Sequence, residues 1–228
     1  MCSFNKLRFF SGVLLLGLLF FSCQNKPTRF TKINSSESGI QFINRLPEKK
    51  LFNILYYLYF YNGGGVSIGD INKDGLPDIY FTANSAGNNK LYINKGNFKF
   101  EDVTKKAGVS GSADWCAGTV MADINGDGWL DIYVSAISNQ FGLKGHNELF
   151  LNNGDGTFRE QSQAVGLDFS GLNGQSAFFD YDHDGDLDCY LVNQSYHPHS
   201  NVLDTSFRNE TDTIAGDVLL RNDISTIG

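Results

Sequence analysis

From Gly65 onward, apolar and polar positions alternate in short blocks, and the blocks recur. An apolar run such as Val66 to Gly69 leads into an acidic stretch, and Ile79 to Ala83 leaves it. Lys90 to Asn94 follows, turns through Gly96, and returns as Phe98 to Val103. Short apolar runs bounded by Gly, Asn and Asp predict strands rather than helices. The second run of each unit, DIYFTA, DIYVSA or DCYLVN, is apolar on both faces, as a strand sandwiched between neighbouring sheets must be. The second copy has the stronger hairpin signal. There Asn153-Gly154-Asp155-Gly156 offers residues that tolerate positive φ between Leu149-Phe150-Leu151 and Thr157-Phe158.

Sliding the chain along itself aligns GVSIGDINKDGLPDIYFTAN from Gly65, GTVMADINGDGWLDIYVSAI from Gly118 and QSAFFDYDHDGDLDCYLVNQ from Gln175. The first Asp of each copy falls at Asp70, Asp123 and Asp180, a spacing of 53 and 57 residues that is near the length of a propeller blade. A second element repeats in the same phase. NKLYINKGNFKFEDVTKKAGV from Asn89 matches NELFLNNGDGTFREQSQAVGL from Asn147, and GDVLLRND from Gly216 begins a third copy. A four-stranded unit repeated head to tail and covered on both faces is a blade. The expected fold is therefore all-β, an incomplete β-propeller of about three to four blades.

The N-terminus stands apart from this pattern. Lys6 and Arg8 precede an apolar run, Gly12 to Phe21, which has the length of a signal-peptide core and is too short to span a bilayer. It ends in Phe20-Phe21-Ser22-Cys23, which resembles the lipobox of bacterial lipoproteins, with Cys23 as the residue that receives the lipid. The expected organisation is a signal peptide over 1–22, a polar tether over 23–38 containing Pro27, and the repeat domain over 39–228. Cys2 leaves with the signal. Cys116 and Cys189 then remain, and they are not expected to pair, because Cys189 fills a strand position held by Ile79 and Ile132 in the other copies.

Composition agrees with a β-rich chain. Its 228 residues are 41% hydrophobic and 14% aromatic, enough for a core, and Gly 25 against Pro 4 favours many tight turns. A formal net charge of −7 argues against nucleic acid as a partner.

The acidic stretches carry the candidate chemistry. Asp123, Asn125, Asp127 and Asp131 stand at loop positions 1, 3, 5 and 9, with Gly128 at position 6 where the chain turns sharply. Asp70, Asn72, Asp74 and Asp78, with Gly75, repeat the arrangement, as do Asp180, Asp182, Asp184 and Asp188, with Gly185. Position 7, held by Leu76, Trp129 and Asp186, can give a backbone carbonyl whatever its side chain. Like charges about 4 Å apart would each cost roughly 1 to 4 kcal/mol per pair, and a divalent ion reverses that sign. All-oxygen donors at this spacing suit Ca2+ better than Mg2+, which demands a tight octahedron and rarely takes an all-protein cage. His183, at position 4, should point away from the ion. An EF-hand is excluded, because it needs a Glu at position 12, where this chain has Phe81, Val134 and Leu191.

These loops, the LFLNNGDGTF hairpin and the YNGGGVSIGD approach resemble the FG-GAP/VCBS repeat proteins, whose loop is shared with integrin α-subunit propellers. The spacing is most similar to a bacterial branch related to cartilage acidic protein. The resemblance runs from about Gly39 to the last residue. It implies a calcium-stabilised β-propeller, commonly of seven blades, outside the cytoplasm and engaged in binding or adhesion. This chain has room for fewer than four blades and stops at Asn222-Asp223-Ile224, where a hairpin glycine is due, so it reads as a fragment or an encoded truncation with an exposed sheet edge.

The reading this supports is a binding module, lipid-anchored at the bacterial outer membrane or cell surface, for an extracellular protein or glycan. Its candidate contact loops are Asn84 to Asn88, Ser138 to Gly145 and Ser195 to Asp212. A structural domain of a larger assembly fits the same residues. The alternative is the propeller of a polysaccharide-active enzyme such as a lyase, a class that also resembles this chain in its calcium loops. The sequence has neither G-x-S-x-G nor H-E-x-x-H, and His197 and His199 are the only suggestive pair. Trp115, just ahead of a repeat's first strand, reads as blade core.

Overall fold

The computed structural model describes residues 28–194 and 215–223. The chain divides into two units, Met1–Asn34 and Ser35–Gly228. In the first, residues 28–34 are described and all are exposed. Among the described residues no helix is long and apolar enough to cross a membrane. The signal peptide over 1–22 and Cys23 lie outside the described residues.

The described residues of the second unit form three antiparallel sheets, and each matches one period of the repeat. The first holds β1 (Val66–Gly69), β2 (Asp78–Phe81), β3 (Lys90–Asn94) and β4 (Phe100–Asp102), in that order. The second repeats it with β5 (Cys116–Ala122), β6 (Asp131–Ala136), β7 (Glu148–Asn152) and β8 (Phe158–Glu160). The third has β9 (Asn173–Phe179), β10 (Asp188–Asn193) and β11 (Val218–Leu220), three strands among the described residues. Register repeats with topology. Ile68 pairs with Ile79 and Ile79 with Tyr92; Met121, Ile132 and Phe150 occupy the same places, and so do Phe178, Cys189 and Leu220. These are propeller blades, as the repeat predicts.

Two strands are shorter than their apolar runs. The run Ile79 to Ala83 forms β2 as Asp78–Phe81, and Phe98 to Val103 forms β4 as Phe100–Asp102. The second difference has a backbone cause. Gly96, Asn97 and Phe98 all take left-handed φ of 77°, 51° and 55°, so the turn consumes Phe98 before extended structure can begin. Among the described residues two single helical turns accompany the sheets, α1 (Ser35–Ser38) ahead of them and α2 (Thr104–Ala107) after β4, and α2 ends on Gly108 in the left-handed conformation.

The blades stack face to face. Ile71, Tyr80, Leu91 and Ile93 of the first meet Ile132, Val134 and Phe150 of the second in one core. Tyr133, Leu149 and Leu151 meet Cys189 and Leu191 of the third in another. Burying each such aliphatic side chain contributes roughly 1.5–3 kcal/mol, so these two interfaces hold the series together. The innermost strands approach closely. The Gly65 N–H donates to the Ala117 carbonyl at 2.6 Å, and a Cβ on Gly118 would lie 2.7 Å from the Gly174 carbonyl oxygen. Glycine at the head of a repeat is therefore a contact requirement between blades. Cys116 and Cys189 are free, buried thiols.

A third core lies outside the repeat. Phe52, Tyr57 and Phe60 pack with Trp115, Ile137, Leu143 and Leu172, and the Phe52 and Trp115 rings meet edge to face at 4.6 Å. Trp115 is buried, as expected, but its neighbours come from this non-repeating segment rather than from a blade interior. Leu143 and Phe141 draw the loop Ser138 to Gly145 into the same cluster.

One buried acid has no evident chemistry. Glu148 Oε1 accepts the Ser112 N–H at 2.8 Å and its hydroxyl at 2.7 Å, while Oε2 is buried without a partner. Burial raises its carboxyl above the ordinary range, opposed by the Ser112 bonds and His146 and reinforced by Glu160. A raised folded value means stability present below the ordinary glutamate range of about 4.3 and lost as pH rises through the folded value. E148Q should therefore raise the free energy of unfolding at neutral pH by an amount on the order of 1 kcal/mol, and with it the thermal midpoint, and the gain should vanish near pH 4. Melts of both proteins across that range in constant calcium check this; a gain independent of pH would go against it.

Candidate metal centres

Each acidic loop joins the first two strands of a blade, and all three share one backbone path. Positions 4 and 6 are left-handed throughout: Lys73 (58°) and Gly75 (83°), Gly126 (72°) and Gly128 (88°), His183 (63°) and Gly185 (99°). Only position 6 is always glycine, so the need at position 4 is hidden in the sequence by Lys73 and His183. Such a residue costs roughly 1–2 kcal/mol, which the rest of the loop must offset.

The side chains explain how. The position 1 carboxylate accepts the position 6 N–H, from Gly75 to Asp70 at 2.8 Å, Gly128 to Asp123 at 2.8 Å and Gly185 to Asp180 at 3.2 Å. The position 5 carboxylate accepts the position 7 N–H, from Leu76 to Asp74, Trp129 to Asp127 and Asp186 to Asp184, at 2.9, 2.8 and 3.0 Å. In the first two loops the Asn72 and Asn125 amides donate to the position 5 carboxylate at 3.1 and 2.8 Å. The positive end of an amide there eases repulsion between acids. The third loop has Asp182 instead, and so carries an additional charge.

Position 9 has a second duty that spacing alone does not disclose. One oxygen of Asp78, Asp131 and Asp188 accepts the N–H of position 2, from Ile71, Ile124 and Tyr181 at 3.1, 3.0 and 2.8 Å. The other accepts the N–H of an asparagine closing the third strand, Asn94, Asn152 and Asn222, at 2.7, 2.8 and 2.8 Å. Those asparagines donate in turn to the position 8 carbonyls of Pro77, Leu130 and Leu187. Asn152 also reaches the Ile71 carbonyl of the preceding blade at 2.9 Å. An Asp–Asn clamp thus locks each loop to its hairpin. The in-phase asparagines were visible in the repeat but carried no chemical meaning there. Burial pushes the Asp131 carboxyl up to about 6 despite its two N–H partners, with Asp127 and Asp123 adding to the rise. Asp78 is raised for the same leading reason.

The donor set fits a cation. Asp123 Oδ1 is buried with no partner, an arrangement that wastes a charged oxygen unless something positive meets it. Asp180, Asp182 and Asp188 each bring one oxygen to within 4.8 Å of the others. The residues that would hold an ion are Asp70, Asn72, Asp74, Leu76 and Asp78; Asp123, Asn125, Asp127, Trp129 and Asp131; and Asp180, Asp182, Asp184, Asp186 and Asp188, with Leu76, Trp129 and Asp186 through their carbonyls. When bound, a divalent ion supplies the positive charge that offsets carboxylate repulsion. Lys73 lies 4.1 Å above the Trp129 ring, a contact between the first and second loops.

Elsewhere the candidates divide. In the loop Asn84 to Asn88, Asn84 is buried and donates to the Cys116 carbonyl at 3.0 Å, while 86–88 are exposed. His197, His199 and the loop Ser195 to Asp212 lie outside the described residues.

A family model described as FG-GAP-like repeat matches residues 70–134 and 137–191. Cartilage acidic protein 1 of Xenopus tropicalis is 32% identical over 140 residues, covering 60% of this chain and 20% of that protein. Integrin alpha-PS5 of Drosophila melanogaster is 34% identical over 114 residues, covering 46% of this chain and 11% of its own. The chain thus spans a fifth or less of the length of these curated relatives. A solved Agrocybe aegerita lectin that recognises non-reducing terminal N-acetylglucosamine aligns with a TM-score of 0.35 and 23% identity, over 55% of this chain and 32% of its own.

Proposed function

The chain belongs to the FG-GAP-like repeat family, and on that premise we propose that it is a calcium-stabilised propeller module that binds an extracellular protein or glycan. In this reading the protein is exported and held to the bacterial outer membrane or cell surface by a lipid on Cys23. The observation that carries the calcium reading is the partnerless, buried Asp123 Oδ1 inside a loop whose geometry recurs twice more. Extracellular or cell-surface relatives support the location, and their non-enzymatic kind supports binding over catalysis.

The ions have a mechanical role here. Each acidic loop joins the first two strands of a blade, and the contact loops Asn84 to Asn88 and Ser138 to Gly145 leave the second strand at its other end, so a filled cage acts by stiffening the blade as a whole, and a rigid scaffold limits the entropy lost on binding. Calorimetric titration of the metal-stripped chain with CaCl2 should show three sites, and D127A should remove one of them. The same protein passed over immobilised glycans and matrix proteins should be retained in calcium and released by chelator. Equal retention in both buffers, or turnover of a polysaccharide, would overturn the reading.

A further inference from the structure

The chain holds four Asn–Gly pairs, beginning at Asn62, Asn125, Asn153 and Asn173. Such a pair can react with itself, because no side chain on the glycine shields its backbone nitrogen from the asparagine amide carbon. Two pairs are tied down. Asn153 is bonded through its oxygen to Arg159 and through its nitrogen to Thr157, and the Gly154 N–H donates to Asn152 Oδ1 at 2.9 Å. Asn173 is buried within β9. The other two are open. Asn62 is exposed, and Asn125 lies in the second acidic loop beside the exposed Gly126. Among the described residues nothing accepts the Gly126 N–H. Glycine at this position 4 answers no demand of the fold: Lys73 and His183 take the same left-handed backbone in the other loops, and a Cβ on Gly126 would meet nothing within 4 Å. The neighbouring group favours reaction. The Asp127 N–H donates to Asn125 Oδ1 at 3.1 Å, which folds the side chain back along the loop and draws electrons from the amide carbon.

We propose, resting on the calcium reading of the loops, that Asn125 is a modification site, a deamidation switch open while the second cage is empty and shut while it is filled. Hydroxide takes the proton of the Gly126 N–H and the freed nitrogen bonds to Asn125 Cγ. The Cγ–Nδ2 bond then breaks, and the side-chain nitrogen leaves as ammonia with a proton from water. Water opens the resulting succinimide, giving aspartate where the new N–Cγ bond breaks and isoaspartate where the original backbone N–C bond breaks. A filled loop uses Asn125 Oδ1 as its position 3 donor, and so withholds the side-chain rotation that brings Cγ onto the Gly126 nitrogen. Aspartate gives the second loop the charge that the third already carries at Asp182. Isoaspartate adds a methylene to the backbone and shifts Asp127 and Gly128 off positions 5 and 6, so that cage does not refill. Loss of calcium is thereby written into the covalent chain.

Peptide mapping by mass spectrometry tests this on the full chain, aged in mildly alkaline buffer with EDTA or with CaCl2 at about ten times the Kd of the second site. Conversion of Asn125 follows the fraction of empty cages and should be about tenfold slower in calcium, while Asn62 converts at one rate in both buffers. G126K, which reproduces Asn72-Lys73 of the first loop, should keep both its calcium and its Asn125 amide. Returned to calcium, chelator-aged protein should lack the heat of the second site in proportion to its isoaspartate. Equal rates at Asn125 in the two buffers, in a chain that calorimetry shows to fill three sites, would overturn the switch alone. An Asn125 that stays amide in EDTA while Asn62 converts would do the same. A chain that gives no heat with calcium would overturn the switch together with the reading it rests on.

Discussion

Withdrawal of calcium is expected to lower the thermal midpoint of the chain by roughly 15–30 °C. Each site occupied in the folded state alone contributes RT ln(1 + [L]/Kd), about 2.7 kcal/mol at a hundredfold excess over Kd, so three sites sum to about 8 kcal/mol. Whole domains are stable by only about 5–15 kcal/mol, which makes calcium a major part of the balance. The third loop should be the most sensitive. It holds Asp182 where the others hold Asn72 and Asn125, and so lacks the amide that eases repulsion with position 5. D182N should accordingly stabilise the chelated protein and weaken its response to calcium. Melts in EDTA and in millimolar CaCl2 measure both effects. A midpoint indifferent to EDTA would sink the calcium cages, while leaving the blades as they are.

Much of this was legible because a repeat reports local structure several times. The recurrence of DIYFTA, DIYVSA and DCYLVN placed the central strands, and Cys189 in an isoleucine position correctly indicated a buried, unpaired thiol. Spacing also placed the three loops and the glycine at position 6. What the repeat could not convey is whatever occurs once. Phe52, Tyr57 and Phe60 have no counterparts in other periods, and their packing on Trp115 joins residues far apart in the chain. Positions where the chemistry varies are hidden for a different reason. Lys73, Gly126 and His183 share a left-handed backbone without sharing a side chain. The Asp–Asn clamp shows the reverse case, constant residues whose partner is fixed only by hairpin register.

That clamp separates two roles for acids nine residues apart or less. D131A should destabilise the chain by about 3–5 kcal/mol even in EDTA, because it strands two N–H groups, at Ile124 and Asn152, each worth roughly 1–3 kcal/mol when buried without an acceptor. D127A should cost little in EDTA. Asp127 is exposed, and its bonds to Trp129 and Asn125 lie within the loop, where water replaces them. In calcium D127A loses the increment from its own site, and D131A loses that increment on top of the clamp. D131N should fall between them: it keeps one acceptor oxygen and removes a charge that burial disfavours. Denaturant unfolding of the three variants with and without chelator resolves the two terms. If D131A and D127A proved equally mild in EDTA, the position 9 carboxylate would be a calcium ligand alone, and the lock between loop and hairpin would have to lie in the strand ladder.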